Sequence, residues 1–282
     1  MHVVTDIAEM QSLSENERRG GKRIAVVPTM GYLHDGHRSL IRAARERCDY
    51  LIMTLFVNPL QFGPGEDFAR YPRDMKRDTE LASKAGVDVL FAPEAKAMYP
   101  DGFKAVVEIP DISSTLEGKF RPTHFRGVTT VVLKIFNCTK PHLAVFGQKD
   151  AQQAFLIRKM VTDLNLELEV FVAPTVREPD GLALSSRNVY LTPDERKRAP
   201  SLYRSLMFAG ESIKSGERNV ETIRKGMSSI LDGAHPKQID YIAFVKPEDF
   251  SEMEVIELPS VLVLLAARFG PTRLIDNMLF SV

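Results

Sequence analysis

The sequence predicts an α/β fold, a mainly parallel sheet with helices on both faces, followed by a smaller α+β domain. Three observations carry this. Up to about residue 175, short β-rich runs alternate with amphipathic stretches. Beyond about residue 180, a helical pattern is followed by consecutive strand patterns. The 282 residues also exceed the roughly 100–200 of one ordinary domain. With 44% hydrophobic and 26% charged residues, the chain can fill a sizeable core, which excludes a disordered or collagen-like protein.

Residues 24–27 form a compact apolar run closed by Pro28, and residues 50–57 a second, closed by Asn58-Pro59. Residues 87–91 and 142–146 follow, and Leu166, Leu168, Val170 and Val172 alternate with polar neighbours in a fifth. Helical patterns lie between, as where Leu40, Ile41 and Ala44 share one face and Arg38, Arg42 and Arg45 another. Strand, helix and strand at these separations are βαβ units. Later, Thr192-Pro193-Asp194-Glu195 reads as an N-cap with proline at the first helical position. Leu202, Leu206, Ala209 and Ile213 then recur at helical spacing, and residues 241–245 and 261–266 read as strands. The grammar changes near residues 176–186, which gives domains over 1–178 and 179–282.

The 37 basic and 37 acidic residues cancel, so the broad electrostatic footprint of a nucleic-acid or membrane binder is missing. Cys48 and Cys138 have no CxxC or Cys/His spacing and are expected as reduced thiols. The opening MHVVTDIAEMQ has neither the basic nor the apolar region of a secretory signal. The longest apolar run, 261–267, is far shorter than the ~18–20 residues of a bilayer span. A soluble, cytoplasmic protein is expected.

Residues 28–37, PTMGYLHDGH, leave the first strand, pass Gly31 and Gly36, and enter a helix expected to begin near His37. Open α/β sheets bind ligands beyond the carboxyl ends of their strands, and a helix N-terminus there offers N–H groups to phosphate. His34 and His37 add imidazole donors. A bare H-x-x-H is also compatible with an incidental glycine turn. A zinc site would need a third ligand that is not evident nearby, so no metal site is expected. The G-x-x-x-x-G-K-[ST] spacing of a P-loop is absent.

In the stretch 180–188, DGLALSSRN, Ser185, Ser186 and Arg187 can grip phosphate, although such a loop is often only a polar linker. Residues 146–150, FGQKD, place a glycine, an ammonium and a carboxylate at a strand end, where a plain turn is the alternative.

Taken together, the histidine pair after the first strand and the late Ser-Ser-Arg loop resemble the HIGH and KMSKS signatures of the nucleotidyltransferase superfamily. The chain is most similar to the pantothenate synthetase (pantoate–β-alanine ligase) family. The resemblance runs nearly end to end, through PTMGYLHDGH, LFVNPLQF (55–62), ARYPRD (69–74), LEGKFRPTHFRGV (116–128), VFGQKDAQQ (145–153), DGLALSSRNVYLT (180–192) and RLIDN (273–277). Where members of that family often carry Gly-Glu-Lys-Asp, this chain has Gly147-Gln148-Lys149-Asp150.

The resemblance implies a Rossmann-like domain that binds nucleotide and pantoate, followed by a C-terminal lid domain. It implies ATP-dependent condensation of pantoate with β-alanine through a pantoyl-adenylate, with ATP as substrate and Mg2+ carried by the nucleotide. Met30, Gly31, Tyr32, Leu33, His34, Asp35, Gly36 and His37 would form one ATP-binding segment, with His37 as proton donor. Gly147, Gln148, Lys149 and Asp150 would form the next, with Val176 on the adenine side. Leu184, Ser185, Ser186 and Arg187 would grip the leaving phosphates. Gln61 and Gln153 match the family's pantoate-binding glutamines, with Gln61 also near β-alanine. Asn58 and Tyr71 are weaker candidates for the substrate wall, and Pro28, Met30, Phe56, Val131 and Phe155 for the wrap around the dimethyl group. Arg121, His124 and Arg126 are at least as suited to a structural or dimer role. A homodimer through the N-terminal domain is implied, with no nucleic-acid or membrane partner.

A nucleotidyltransferase acting on a phosphate-bearing acceptor is disfavoured by the Gln61/Gln153 pair. A nucleotide sensor without catalysis would show a damaged motif, and a tRNA-binding relative would show a basic appendage. Neither is seen.

Overall fold

The computed structural model describes residues 1–257 and 259–282. The chain divides into two compact units, one of residues 1–147 and 152–174, the other of residues 148–151 and 175–282.

The first unit holds strands β1 (His2–Val4), β2 (Ile24–Thr29), β3 (Tyr50–Leu55), β4 (Val89–Phe91), β5 (Leu143–Gly147) and β6 (Glu169–Ala173). They form a parallel sheet in the order β1-β4-β3-β2-β5-β6. Its helices include α1 (Ile7–Arg19), α2 (Asp35–Arg45) and α3 (Met75–Lys84). Three single turns, α4 (Ala95–Met98), α5 (Pro110–Ser113) and α6 (Glu117–Phe120), precede the long α7 (His124–Thr139) and α8 (Ala151–Asp163).

Strand side chains alternate between faces, so each central strand feeds two cores. Ile24, Val26, Ile52 and Phe91 pack with Met10 of α1, Val128 and Val132 of α7 and Ile157 of α8. Ala25, Val27, Leu51 and Met53 pack on the other face with Ile41 and Ala44 of α2 and Ala82 of α3. Burial on both faces is why these strands read as unbroken apolar runs. Both cysteines are unbridged thiols, Cys138 buried and Cys48 half-buried.

The second unit packs α9 (Pro193–Arg198), α10 (Ser201–Lys214) and α11 (Val220–Asp232) with an antiparallel sheet of β7 (Gln238–Val245), β8 (Ser260–Phe269) and β9 (Thr272–Ser281), in that order. Leu202, Leu206, Ile223 and Met227 share its core with Val261, Val263 and Leu265. Thr192 caps α9 as its sequence implies, closing a reciprocal capping box with Glu195.

Several expectations are revised. The helix after β2 begins at Asp35 rather than near His37, because His34 itself is the N-cap. Residues 87–91 shrink to a strand over Val89–Phe91, and β9 extends the late sheet beyond the two strands read from the sequence. The division falls at 174/175, four residues before the expected 178/179. Residues 148–151 join the second unit because the Asn277 side chain binds the carbonyls of Gln148 and Lys149. Among the described residues, no helix is long and apolar enough to cross a membrane.

Candidate active site

From β2 the sheet runs through β3 and β4 on one side and through β5 and β6 on the other. This reversal makes β2/β5 the topological switch point, where open α/β sheets bind ligands beyond the strands' carboxyl ends. The chain leaving β2 is the histidine segment, and β5 ends at Gly147.

Three devices hold the histidine segment. The Thr29 hydroxyl donates to the Thr54 carbonyl at 2.7 Å and accepts the Gly31 N–H at 3.3 Å. Gly31 then turns at φ +85°, where a Cβ would meet the Asp78 carboxylate at 3.0 Å, and Tyr32 follows at φ +53°. The Asp78 carboxylate, fully buried, accepts the N–H of Tyr32 at 2.6 Å and of Leu33 at 2.8 Å. Arg77 donates to the Leu33 carbonyl at 2.8 Å, and its guanidinium lies over the Tyr32 ring.

Asp78 escapes sequence reasoning. It sits on an amphipathic helix far along the chain, and its only signal was being apart from that helix's exposed charges. Asp78→Ala should therefore cost about 2–4 kcal/mol, since two buried N–H groups lose a charged acceptor. Denaturant unfolding reads this; a loss below about 1 kcal/mol would remove Asp78 as the anchor.

The imidazoles come next. His34 Nδ1 accepts the Gly36 N–H at 3.1 Å, and His37 Nδ1 accepts the His34 N–H at 3.3 Å. Their ring centroids are 4.1 Å apart. With Nδ1 of each ring accepting, the proton of the neutral ring sits on Nε2. Both rings thereby carry a donor at the N-terminus of α2, where the helix dipole adds its attraction for anions. Asp35 faces elsewhere, pairing with Arg38 at 2.9 Å on the exposed side of the helix.

Gln61 ends a 3₁₀ turn, Pro59–Gln61, capped by Asn58. Its side chain donates to the Met30 sulfur and accepts from Asn58 Nδ2 at 3.2 Å, so the first unit brings two sequence-predicted residues together. The Tyr99 hydroxyl donates to Asn58 Oδ1 at 2.7 Å, and burial pushes that phenol above its ordinary value. Behind the turn, Arg121 pairs with Glu66 at 2.7 Å and donates to the Gln61 carbonyl at 3.2 Å. His124 Nδ1 lies 2.9 Å from the same carbonyl. Arg121 and His124 are thus supports beneath Gln61, while Arg126 is exposed. Phe56, Val131 and Tyr71 are buried, and Phe155 is half-buried. On α8, Gln153 is half-buried and makes no side-chain hydrogen bond among the described residues, whereas its neighbour Gln152 binds the backbone at residues 112, 115 and 117.

The second unit holds the remaining candidates. Residues 176–184 form a hairpin in which Leu184 N–H donates to the Val176 carbonyl at 3.0 Å and Glu178 N–H to the Leu182 carbonyl at 2.8 Å. Gly181 makes its turn at φ +92°. Arg196 braces that turn through Glu178 and Asp180, and its hydrogen bond holds the Asp180 carboxyl below the usual carboxylate range. The hairpin delivers Ser185, whose hydroxyl caps the 3₁₀ turn Ser186–Tyr190 by accepting the Arg187 N–H at 3.3 Å. Ser185, Ser186 and Arg187 are half-buried. Lys149 stands on the 3₁₀ turn Gln148–Asp150, with its ammonium 3.8 Å from the Asp150 carboxylate. Among the described residues, no group of three or more His, Cys, Asp or Glu is arranged to hold a metal ion.

Comparison with known proteins agrees with this architecture. The family model described as pantoate-beta-alanine ligase matches residues 2–279. A pantothenate synthetase from Chloroherpeton thalassium is 53% identical over 279 residues, covering 98% of both chains. The crystal structure of pantothenate synthetase from Thermus thermophilus superposes with a TM-score of 0.93 at 44% identity, covering 99% of each chain. A pantoate-beta-alanine ligase from Francisella tularensis, complexed with beta-gamma ATP and beta-alanine, gives a TM-score of 0.82 at 36% identity, covering 99% of this chain and 97% of that one. Likeness of this extent, in sequence and in fold, means that the chain belongs to the pantoate–β-alanine ligase family.

Proposed function

We propose that this ligase makes pantothenate in two steps, through a pantoyl-adenylate held by the residues described above. The pantoate carboxylate attacks the α-phosphorus of ATP, and the bond to the β-phosphate breaks to release pyrophosphate. The amine of β-alanine then attacks the acyl carbon. A C–N bond forms, AMP leaves, and the amine gives up a proton.

The observation that carries this reading is the pair of Nε2 donors at the N-terminus of α2, beside the switch point of the sheet. Donors fixed before the reaction stabilise charge developing on a transferring phosphoryl group without reorganising. His34 and His37 bind phosphate oxygens, with His37 as proton donor. Met30, Gly31, Tyr32, Leu33, Asp35 and Gly36 shape this ATP segment, and Gly147, Gln148, Lys149 and Asp150 the second, where the Lys149 ammonium neutralises phosphate. Val176 contacts the adenine side. Leu184, Ser185, Ser186 and Arg187 hold the leaving pyrophosphate, and their unit acts as a lid. Mg2+ arrives with ATP and keeps most of its waters.

Gln61 and Gln153 bind the hydroxyls and carboxylate of pantoate, since an amide both donates and accepts. Gln153→Ala should raise the KM for pantoate by about 10-fold or more, the cost of one or two lost hydrogen bonds, with little change in the KM for ATP. A change confined to ATP would overturn the assignment.

Pantoate-dependent pyrophosphate–ATP exchange, measured with Mg2+ and no amine, tests the adenylate. Exchange supports it, and AMP release on adding β-alanine completes it. No exchange, and no AMP when β-alanine is present, would sink it. The reading extends to a cytoplasmic homodimer; sedimentation as a monomer at assay concentration would remove the dimer.

A further inference from the structure

Strand β9 breaks its alternation of buried and half-exposed positions at Asp276 and Asn277, which are adjacent yet 2% and 3% exposed. Two buried polar side chains in succession are costly unless each is partnered, so the partners show what the pair serves. Adjacent strand residues point to opposite faces. These two accordingly reach different segments of the second unit.

Asn277 Nδ2 donates to the carbonyls of Gln148 and Lys149, both at 2.9 Å, and its Oδ1 accepts from Gln148 Nε2 at 3.0 Å. The whole amide is spent on the turn that carries Lys149. Asp276 accepts two bonds from the Arg177 guanidinium, at 2.6 and 2.9 Å. Arg177 also donates to the Gly181 carbonyl at 3.0 Å, lies over the Tyr203 ring, and bridges to Ala183 across the hairpin that delivers Ser185. The Asn277 N–H donates back to Asp276 Oδ1 at 2.8 Å, which links the two halves. Sheet stability alone does not need this arrangement, because apolar residues would hold β9 on β8 equally well.

We propose that Asp276 and Asn277 are positioning residues for adenylate formation, a clamp on β9 that fixes the Lys149 turn and the 185–187 loop relative to each other. The proposal rests on reading those two segments as the phosphate grip. Its physical basis is reach: Lys149 and Arg187 are long side chains, and only a fixed backbone lets them meet the same phosphates. A displacement of about 1 Å can cost ~10²-fold in rate.

The test compares Lys149→Ala, Asn277→Ala, Asn277→Asp and the double variant Lys149→Ala/Asn277→Ala in pantoate-dependent pyrophosphate–ATP exchange. The β-alanine step is assayed separately from supplied pantoyl-adenylate. Asn277→Ala is expected to lower exchange ~10–100-fold and raise the KM for ATP, with the KM for pantoate and the β-alanine step within ~3-fold of the parent. Asn277→Asp falls below Asn277→Ala, since it sets a carboxylate against two carbonyl oxygens. In the Lys149→Ala background, adding Asn277→Ala costs less than ~3-fold, because Asn277 acts through Lys149. Asp276→Asn shows the same lack of additivity with Arg187→Ala.

Exchange unchanged in Asn277→Ala while Lys149→Ala is crippled overturns the clamp and leaves the site reading standing. Fully multiplicative effects do the same. An unaffected Lys149→Ala instead removes the phosphate reading, and the clamp with it. Should Asn277→Ala fail to fold, Asn277→Ser leaves one hydroxyl donor where the amide gave two to the Gln148 and Lys149 carbonyls. A ~3–10-fold rise in the KM for ATP then supports the clamp, and no rise overturns it.

Discussion

His37→Ala lowers pantoate-dependent pyrophosphate–ATP exchange by ~10²-fold or more, the effect of losing a donor aimed at developing charge or a proton donor. The fold barely notices. His37 accepts the His34 N–H, a neutral hydrogen bond whose loss costs about 0.5–1.5 kcal/mol at a half-buried helix start. Large catalytic loss with small stability loss separates a chemical role from a scaffolding one. Asp78→Ala costs stability first, because its fully buried carboxylate accepts two backbone N–H groups. Exchange in His37→Ala within a few-fold of the parent, with the chain folded, would take His37 out of the mechanism.

Gly127→Ala acts on the other substrate. A Cβ at Gly127 would lie 2.3 Å from the Leu60 carbonyl oxygen and 2.7 Å from the Gln61 nitrogen, both backbone atoms. The neighbour must retreat by about 1 Å to reach ordinary contact, and it is the turn that carries Gln61. In a helix interior, glycine to alanine gains about 1 kcal/mol of propensity. Overpacking against backbone costs about 1–3 kcal/mol, so the clash outweighs the gain. The KM for pantoate should rise ~10-fold or more, with the KM for ATP nearly unchanged, since 1 Å of displacement at a binding residue is expensive. Unchanged pantoate affinity would mean that the turn relaxes elsewhere and that Gln61 does not depend on this contact.

Gly127 also accounts for the HFRG stretch. Arg121 and His124 hold the Gln61 carbonyl, and Gly127 lets α7 approach the same turn. A stretch at least as suited in sequence to a structural or dimer role as to substrate contact thus acts one layer behind Gln61, the glutamine proposed to bind pantoate.

Much of the fold was legible in one dimension because its signals are local. Alternating burial on both faces makes Ile24 to Val27 an apolar run, and Thr192-Pro193 with Glu195 encodes its own helix start. Short edge elements such as β1 carry too few residues to make a pattern, and its pairing partner β4 lies far along the chain. The histidine segment was legible as a motif, but His34 as the N-cap, and hence the tautomer of both rings, depends on where the helix starts.

The family and the alternating α/β architecture could both be read from the chain unaided, as could the residue types proposed to meet phosphate, because each is carried by contiguous residues. What holds those residues in place emerged only in three dimensions. Asp78 grips the histidine segment, Arg121 and Gly127 contact the Gln61 turn, Asn277 binds the turn that carries Lys149, and Asp276 binds Arg177 of the hairpin before Ser185. The reason is physical. A buried hydrogen bond is set by positions in space, and the chain between its two partners carries no pattern that announces it.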